Sequence, residues 1–214
     1  MKNMKKVLVM TMAALLLVAV SVAGTVAYLT ATTTPVVNTF APTTIKITLQ
    51  EHDYDYATDA LGTGIVTEED DYKMVPGDFL PKDPFVTVKA GSEKCYIFVK
   101  IEEVNDFAKY MKYYPDTEGE NAKWGAIDSE EGVYYYKSEV DAAAADVNTT
   151  SVLVADAIEV LDSVTTAMLD ELAKKDAADY PQLKITAYAV QSQNLGDLVW
   201  ADDAAEIYEL AIGN

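Results

Sequence analysis

Four stretches of this chain show a period-two pattern, and they constrain the fold more than any other feature. They are Thr44-Ile45-Lys46-Ile47-Thr48-Leu49, Phe85-Val86-Thr87-Val88-Lys89, the segment from Cys95 to Glu102, and the segment from Leu183 to Gln191. A strand points successive side chains to opposite faces, so this spacing marks strands with a buried side. In the third stretch Cys95, Ile97, Val99 and Ile101 share one face. In the fourth, Ile185, Ala187 and Ala189 share one face, and Lys184, Thr186, Tyr188 and Val190 the other. Val133–Lys137 and Ser151–Val154 are shorter strand candidates, and Ala90-Gly91-Ser92-Glu93 reads as a turn. Residues 51–72, acidic and punctuated by glycine, read as a loop.

Two helices interrupt this rhythm. Val164, Met168 and Leu172 fall at i, i+4 and i+8, which predicts a helix over 163–176 with one apolar stripe. Lys174 and Lys175 stand at its C-terminal end, where the helix dipole favours positive charge. A last helix is expected to start at a capping Asp203, with Glu206 three residues on and Ile207, Leu210 and Ala211 facing inward; Gly213 ends it. Strands recurring every 10 to 20 residues without a βαβ alternation predict an all-β chain, an antiparallel β-sandwich decorated by short helices.

The first 27 residues are set apart from that domain. Lys2, Lys5 and Lys6 precede an almost wholly apolar run from Val7 to Val22, followed by the small residues of Ala23-Gly24-Thr25-Val26-Ala27. This order is that of a signal peptide, an apolar helix cut between Ala27 and Tyr28. The run is shorter than the roughly 20 residues of a membrane span. Residues 1–27 are therefore expected to be removed by a signal peptidase during export, and the membrane to be met only through that peptide. Residues 28–43, rich in threonine and proline with Val36, Val37 and Phe40 near their end, are expected to be a mobile segment. Residues 44–214 are expected to form a single domain.

Charge narrows the partners. Without the three lysines of the signal peptide, 13 lysines face 35 acidic residues, a formal charge of −22, and no arginine occurs. Nucleic-acid recognition relies on a basic face and bidentate guanidinium groups, so nucleic acid is excluded as a partner. Acidity at this level suits an exported, soluble protein. Cys95 is the one cysteine and cannot form a disulfide within the chain. It reads as a small buried hydrophobe.

Catalytic signatures are sparse. His52 is the one histidine, so a zinc site with two or three imidazoles is excluded, and in an acidic loop without a nucleophile motif it reads as an exposed loop residue. Glu68-Glu69-Asp70-Asp71 and Asp202-Asp203 read as solvated loop charge. Calcium is the one cofactor such loops could hold, since it accepts carboxylate and carbonyl oxygens. The spacing of Asp53-Tyr54-Asp55-Tyr56-Ala57-Thr58-Asp59 does not fit an EF-hand loop. Tyr134, Tyr135, Tyr136, Trp124 and Trp200 could stack on a glycan, but alternation along a strand sends Tyr134 and Tyr136 one way and Tyr135 the other, which favours packing.

Taken together, several stretches resemble the TasA and camelysin-like family of exported Gram-positive proteins, whose signal peptides are cut by the dedicated peptidase SipW. They are Gly24-Thr25-Val26-Ala27-Tyr28-Leu29-Thr30, Val37-Asn38-Thr39-Phe40, Val75-Pro76-Gly77-Asp78, Lys82-Asp83-Pro84 with Val86-Thr87-Val88, Gly91-Ser92-Glu93 through Ile101, Val133–Lys137 and Ile185–Gln191. The resemblance implies a jelly-roll-like sandwich and a place in extracellular matrix or biofilm fibres. It also implies that residues 28–40 occupy the position of a donor strand, with Val36, Val37 and Phe40 making the contacts. Some relatives have been called metallopeptidases; this chain lacks recognisable ligands for that role. The expected protein is thus a secreted, non-enzymatic matrix subunit that associates with itself or a related subunit. A monomeric cell-surface module for glycans or other ligands is the alternative.

Overall fold

The protein was described from a computed structural model covering residues 44–55, 60–66 and 73–213. The expected signal-peptide helix, the cleavage residues Ala27 and Tyr28, and the segment bearing Val36, Val37 and Phe40 lie outside the described residues.

Antiparallel strands dominate. In chain order they are β1 (Ile47–Asp55), β2 (Ala60–Val66), β3 (Phe79–Pro81), β4 (Phe85–Val88), β5 (Cys95–Val104), β6 (Met111–Pro115), β7 (Trp124–Ala126), β8 (Val133–Tyr136), β9 (Val147–Asn148), β10 (Leu153–Val160) and β11 (Gln182–Gln191). The helices are short: α1 (Phe107–Tyr110), α2 (Thr166–Leu172), a 3-10 turn at Ala177–Asp179, and α3 (Ala204–Ile212). The strands form three sheets, ordered β2-β1-β4-β9, β3-β10-β6 and β11-β5-β8-β7. The expectation of an all-β, antiparallel chain with short helices holds.

The strand β5 shows why alternation in the sequence becomes a core. Cys95, Ile97, Val99 and Ile101 are at most 3% exposed and pack with Val86 and Val88 of β4 and with Val152, Ile158 and Val160 in one cluster. Phe98 points the other way, into a second cluster with Val133, Ile207 and Tyr208, so α3 packs on the far side of this sheet. β5 is therefore buried on both faces. Tyr134 and Tyr136 join the first cluster and Tyr135 the second, as the alternation requires. Ile185, Ala187 and Ala189 likewise join the first, and Tyr188 and Val190 the second.

Three expectations need correction. Residues 51–55 and 60–66 are not loop: β1 runs on to Asp55 and pairs with β2, with Glu51 opposite Val66 and Asp55 opposite Ala60. Gly62 and Gly64 permit this, because the Asp53 carboxylate lies over them where side chains would otherwise stand. The acidic composition hid a strand whose apolar residues are few. Second, the helix predicted over 163–176 spans only Thr166–Leu172. Thr165 is its cap, its Oγ1 accepting from the Met168 N–H at 3.3 Å. Val164 still joins the core, held in a turn by its N–H on the Leu161 carbonyl. Third, Asp203 does not cap α3 through its side chain; Oδ2 instead accepts from the Val199 N–H at 2.7 Å. Ile207 is buried, but Leu210, expected inward, is 49% exposed. Gly213 ends the helix at φ 80° as expected.

Candidate functional site: an open side between two strands

The sheets around the main cluster do not close equally on all sides. β11 pairs with β5 along its whole length, Gln182 opposite Val104 through Gln191 opposite Cys95. It stands at the end of its sheet, and among the described residues no strand pairs with its other side. The first half of β1 is similar. Ile47 to Gln50 pair with β4, whereas β2 joins β1 only from Glu51 onward. β1 and β11 come within 8 Å of each other, Cα to Cα, with no ladder between them among the described residues.

Burial shows the same opening in the side chains. Ile185, Ala187 and Ala189 of β11 are half-buried, although their cross-strand partners Ile101, Val99 and Ile97 are 3%, 1% and 0% exposed. Ile47 and Leu49 of β1 are half-buried, although their partners Val88 and Val86 are both 0% exposed. Two half-buried apolar rows, one from β1 and one from β11, thus flank the core beside fully buried cross-strand partners. Among the described residues this ten-residue edge has no ladder on its outer side, and such an edge is a template for a further strand. The other sheet ends among the described residues are shorter: β2 has seven residues, β6 five, β3 and β7 three each, and β9 two.

Every donor-strand residue expected from the sequence, Val36, Val37 and Phe40, lies outside the described residues, as do Ala27 and Tyr28. The β11 edge was not singled out from the sequence. Alternation identified both strands, but it does not say which strand ends up at an edge; that depends on sheet order.

His52 is a further correction. It sits on β1, not in an exposed loop. Its backbone N–H donates to Asp83 Oδ1 at 2.9 Å, and its ring Nδ1 lies 2.6 Å from Asp83 Oδ2. Asp83 is 7% exposed, and this double contact supplies the partners a buried carboxylate needs. The ring also rests against Phe85, at 5.4 Å between centroids. Beside this pair Lys82 and Glu51 form an ion pair at 2.5 Å. Partial desolvation raises the Asp156 carboxyl, although the residue is exposed overall, opposed by a hydrogen bond from Ser151 and reinforced by the charge of Asp83. Ser151 is thereby engaged with Asp156 and, through Oγ, with the Leu153 N–H. No hydroxyl or thiol is on the His52 ring among the described residues.

The remaining sequence candidates are packed. Trp124 is 0% exposed, its Nε1–H donating to the carbonyls of Ser151 at 3.0 Å and Thr150 at 3.3 Å. The Trp200 ring stacks on Tyr96 at 3.8 Å and takes Phe98 and Tyr135 against it edge-on. Tyr135 covers Gly125, its cross-strand partner, where a Cβ would collide with the ring. Burial, with a smaller contribution from Glu139, raises the Cys95 thiol to about 11. Burial first and the Tyr134 hydroxyl second push up that of Tyr113. Among the described residues no group of three or more His, Cys, Asp or Glu is placed to hold a metal ion, and no helix is long and apolar enough to cross a membrane. No family model, curated protein or solved structure matches this chain.

Proposed function

We propose that the protein is a secreted, non-enzymatic subunit of an extracellular matrix, a jelly-roll-like sandwich of the TasA and camelysin-like kind, joined to copies of itself or to a related subunit by strand addition. The observation that carries this reading is the open side itself: a ten-residue β11 edge beside two half-buried apolar rows. Cleavage after Ala27 would release a chain beginning at Tyr28, and residues 28–40 of one copy would then lie along β11 of the next. Val36, Val37 and Phe40 would supply the apolar side chains that complete burial of Ile185, Ala187, Ile47 and Leu49. Pro35 has no N–H to give a ladder, so pairing would be firmest after it.

Electron microscopy of the exported protein, with and without residues 28–40, tests the reading. Fibres from the full mature chain and folded, cooperatively melting monomers from the truncated one are expected. Polymers from the truncated chain would place the donor elsewhere. Unfolding of the truncated chain would assign the segment to its own core. A persistent monomer of the full chain with affinity for a glycan would favour the ligand-binding module.

A further inference from the structure

Two of the three residues that β11 turns to the main cluster are alanines. Ile185, Ala187 and Ala189 pack against that cluster, and their cross-strand partners Ile101, Val99 and Ile97 are branched and at most 3% exposed. β5 thus carries bulk where the strand at the sheet end carries methyl groups. The start of β1 is tied to the alanine end of β11. Just before β5, the Glu93 N–H donates to the Thr44 carbonyl at 3.3 Å, and Ser92 Oγ accepts from the Lys46 N–H at 3.1 Å. Just after β11, the Ser192 N–H donates to the Lys94 carbonyl at 2.9 Å. β1 and β11 approach within 8 Å, and those ties bring the Ile47 end of one to the Gln191 end of the other. Ile47, Leu49, Ala187 and Ala189 are all half-buried on the same cluster, beside Val88, Val86, Val99 and Ile97, none more than 1% exposed.

Charge says what such a place can take. Thr44–Gln50 and Gln182–Gln191 hold Lys46 and Lys184 as their only charged residues, in a chain with 35 acidic ones. Residues 28–45 carry no charged side chain, and Phe40 is the bulkiest apolar residue of 29–45. Copies this acidic repel one another, so an uncharged segment of a second copy suits an acid-free edge. We propose that Ala187, Ala189, Ile47 and Leu49 form the seat for one bulky apolar side chain of an incoming strand, and that its occupant is Phe40 of a second copy. The proposal rests on the strand-addition reading above and names what gives it specificity. In an added strand an inward side chain stands about 5 Å from its cross-strand neighbour. A large residue opposite a small one interdigitates, whereas two large ones strain the packing. A phenyl ring over the two alanines completes the burial of Ile47 and Leu49. It also fixes register, because a slip of one residue turns Phe40 to the opposite face.

Two blocked variants of the exported mature protein test this. Ala187→Leu with Ala189→Leu fills the seat, and Phe40→Ala removes its occupant. Each variant alone should need about tenfold or more higher concentration to assemble than the unaltered protein, the loss expected for one phenyl burial. Mixed below that concentration, the two should form one-to-one dimers and nothing larger, read by light scattering after gel filtration, because one keeps a strand to give and the other a seat to receive it. Both variant monomers should melt no lower than the unaltered monomer. Should the double leucine variant fail to fold, Ala187→Val takes its place with a smaller loss in the same direction. Assembly of either variant at the unaltered concentration overturns the seat. So does a mixture that stays monomeric, or a Phe40→Ala monomer that melts lower, since the ring then packs in its own chain. These failures leave strand addition standing. An unaltered protein that assembles at no concentration overturns strand addition and the seat together.

Discussion

β5 and β11 are neighbours with the same length and the same alternation, yet they live in different environments. β5 lies between β11 and β8, its inner residues at most 3% exposed and its outer face under the aromatic cluster of α3. β11 has β5 on one side and nothing described on the other, and its inner residues are half-buried. Pattern alone made the two strands equivalent; position in the sheet order separates them. One is where the fold gets its stability, and the other has an outer side with no ladder among the described residues and half-buried apolar side chains beside it.

That contrast can be broken by mutation. Trp124→Ala should be among the most damaging changes, costing about 3–5 kcal/mol because it empties a fully buried site and leaves two carbonyls without their donor. Chemical denaturation measures it. Next, Ile97→Ala on β5 should cost about 2–5 kcal/mol, whereas Ile185→Ala on β11 should cost only about 1 kcal/mol in the monomer. Equal costs would mean that the β11 side is as closed as the centre. Cys95 sharpens the same point chemically. Buried at 0% exposure with its thiol raised to about 11, it should resist alkylation at about pH 8 in the native protein and react readily once unfolded. The raised value also means that its stabilising effect, complete below 9.0, drains away between 9.0 and about 11 as the thiolate forms. The smallest effect belongs to Ile65→Thr on β2, 51% exposed, which should shift stability by no more than about 0.5 kcal/mol.

Much of the fold was legible because a strand buried on one face must alternate. That reasoning placed Cys95, Ile97, Val99 and Ile101 together, divided Tyr134 and Tyr136 from Tyr135, and assigned the two faces of β11. It failed at β2, where glycines at 62 and 64 replace the apolar residues a pattern needs and serve instead to admit Asp53. It failed at His52 for a related reason: the partner that holds it, Asp83, is distant in sequence and recognisable only once β1 and β4 are paired. Leu210 illustrates the limit of helical periodicity, since α3 turns a narrower stripe to the sheet than its composition suggested. The place of β11 at a sheet end among the described residues could not be read at all, because no residue type signals sheet order.

The central claim is that the β11 edge receives a strand on assembly, and hydrogen exchange at Gln182–Gln191 tests it most directly. In an antiparallel pair, alternate amides of an edge strand point away from the partner. In the mature monomer those outward amides of β11 should exchange rapidly while the alternate ones bonded to β5 are protected. After assembly the outward set should become protected as well, and addition of a peptide matching residues 28–40 to the truncated monomer should reproduce the effect. Outward amides already protected in the monomer, or still exchanging freely within assembled material, would contradict the account.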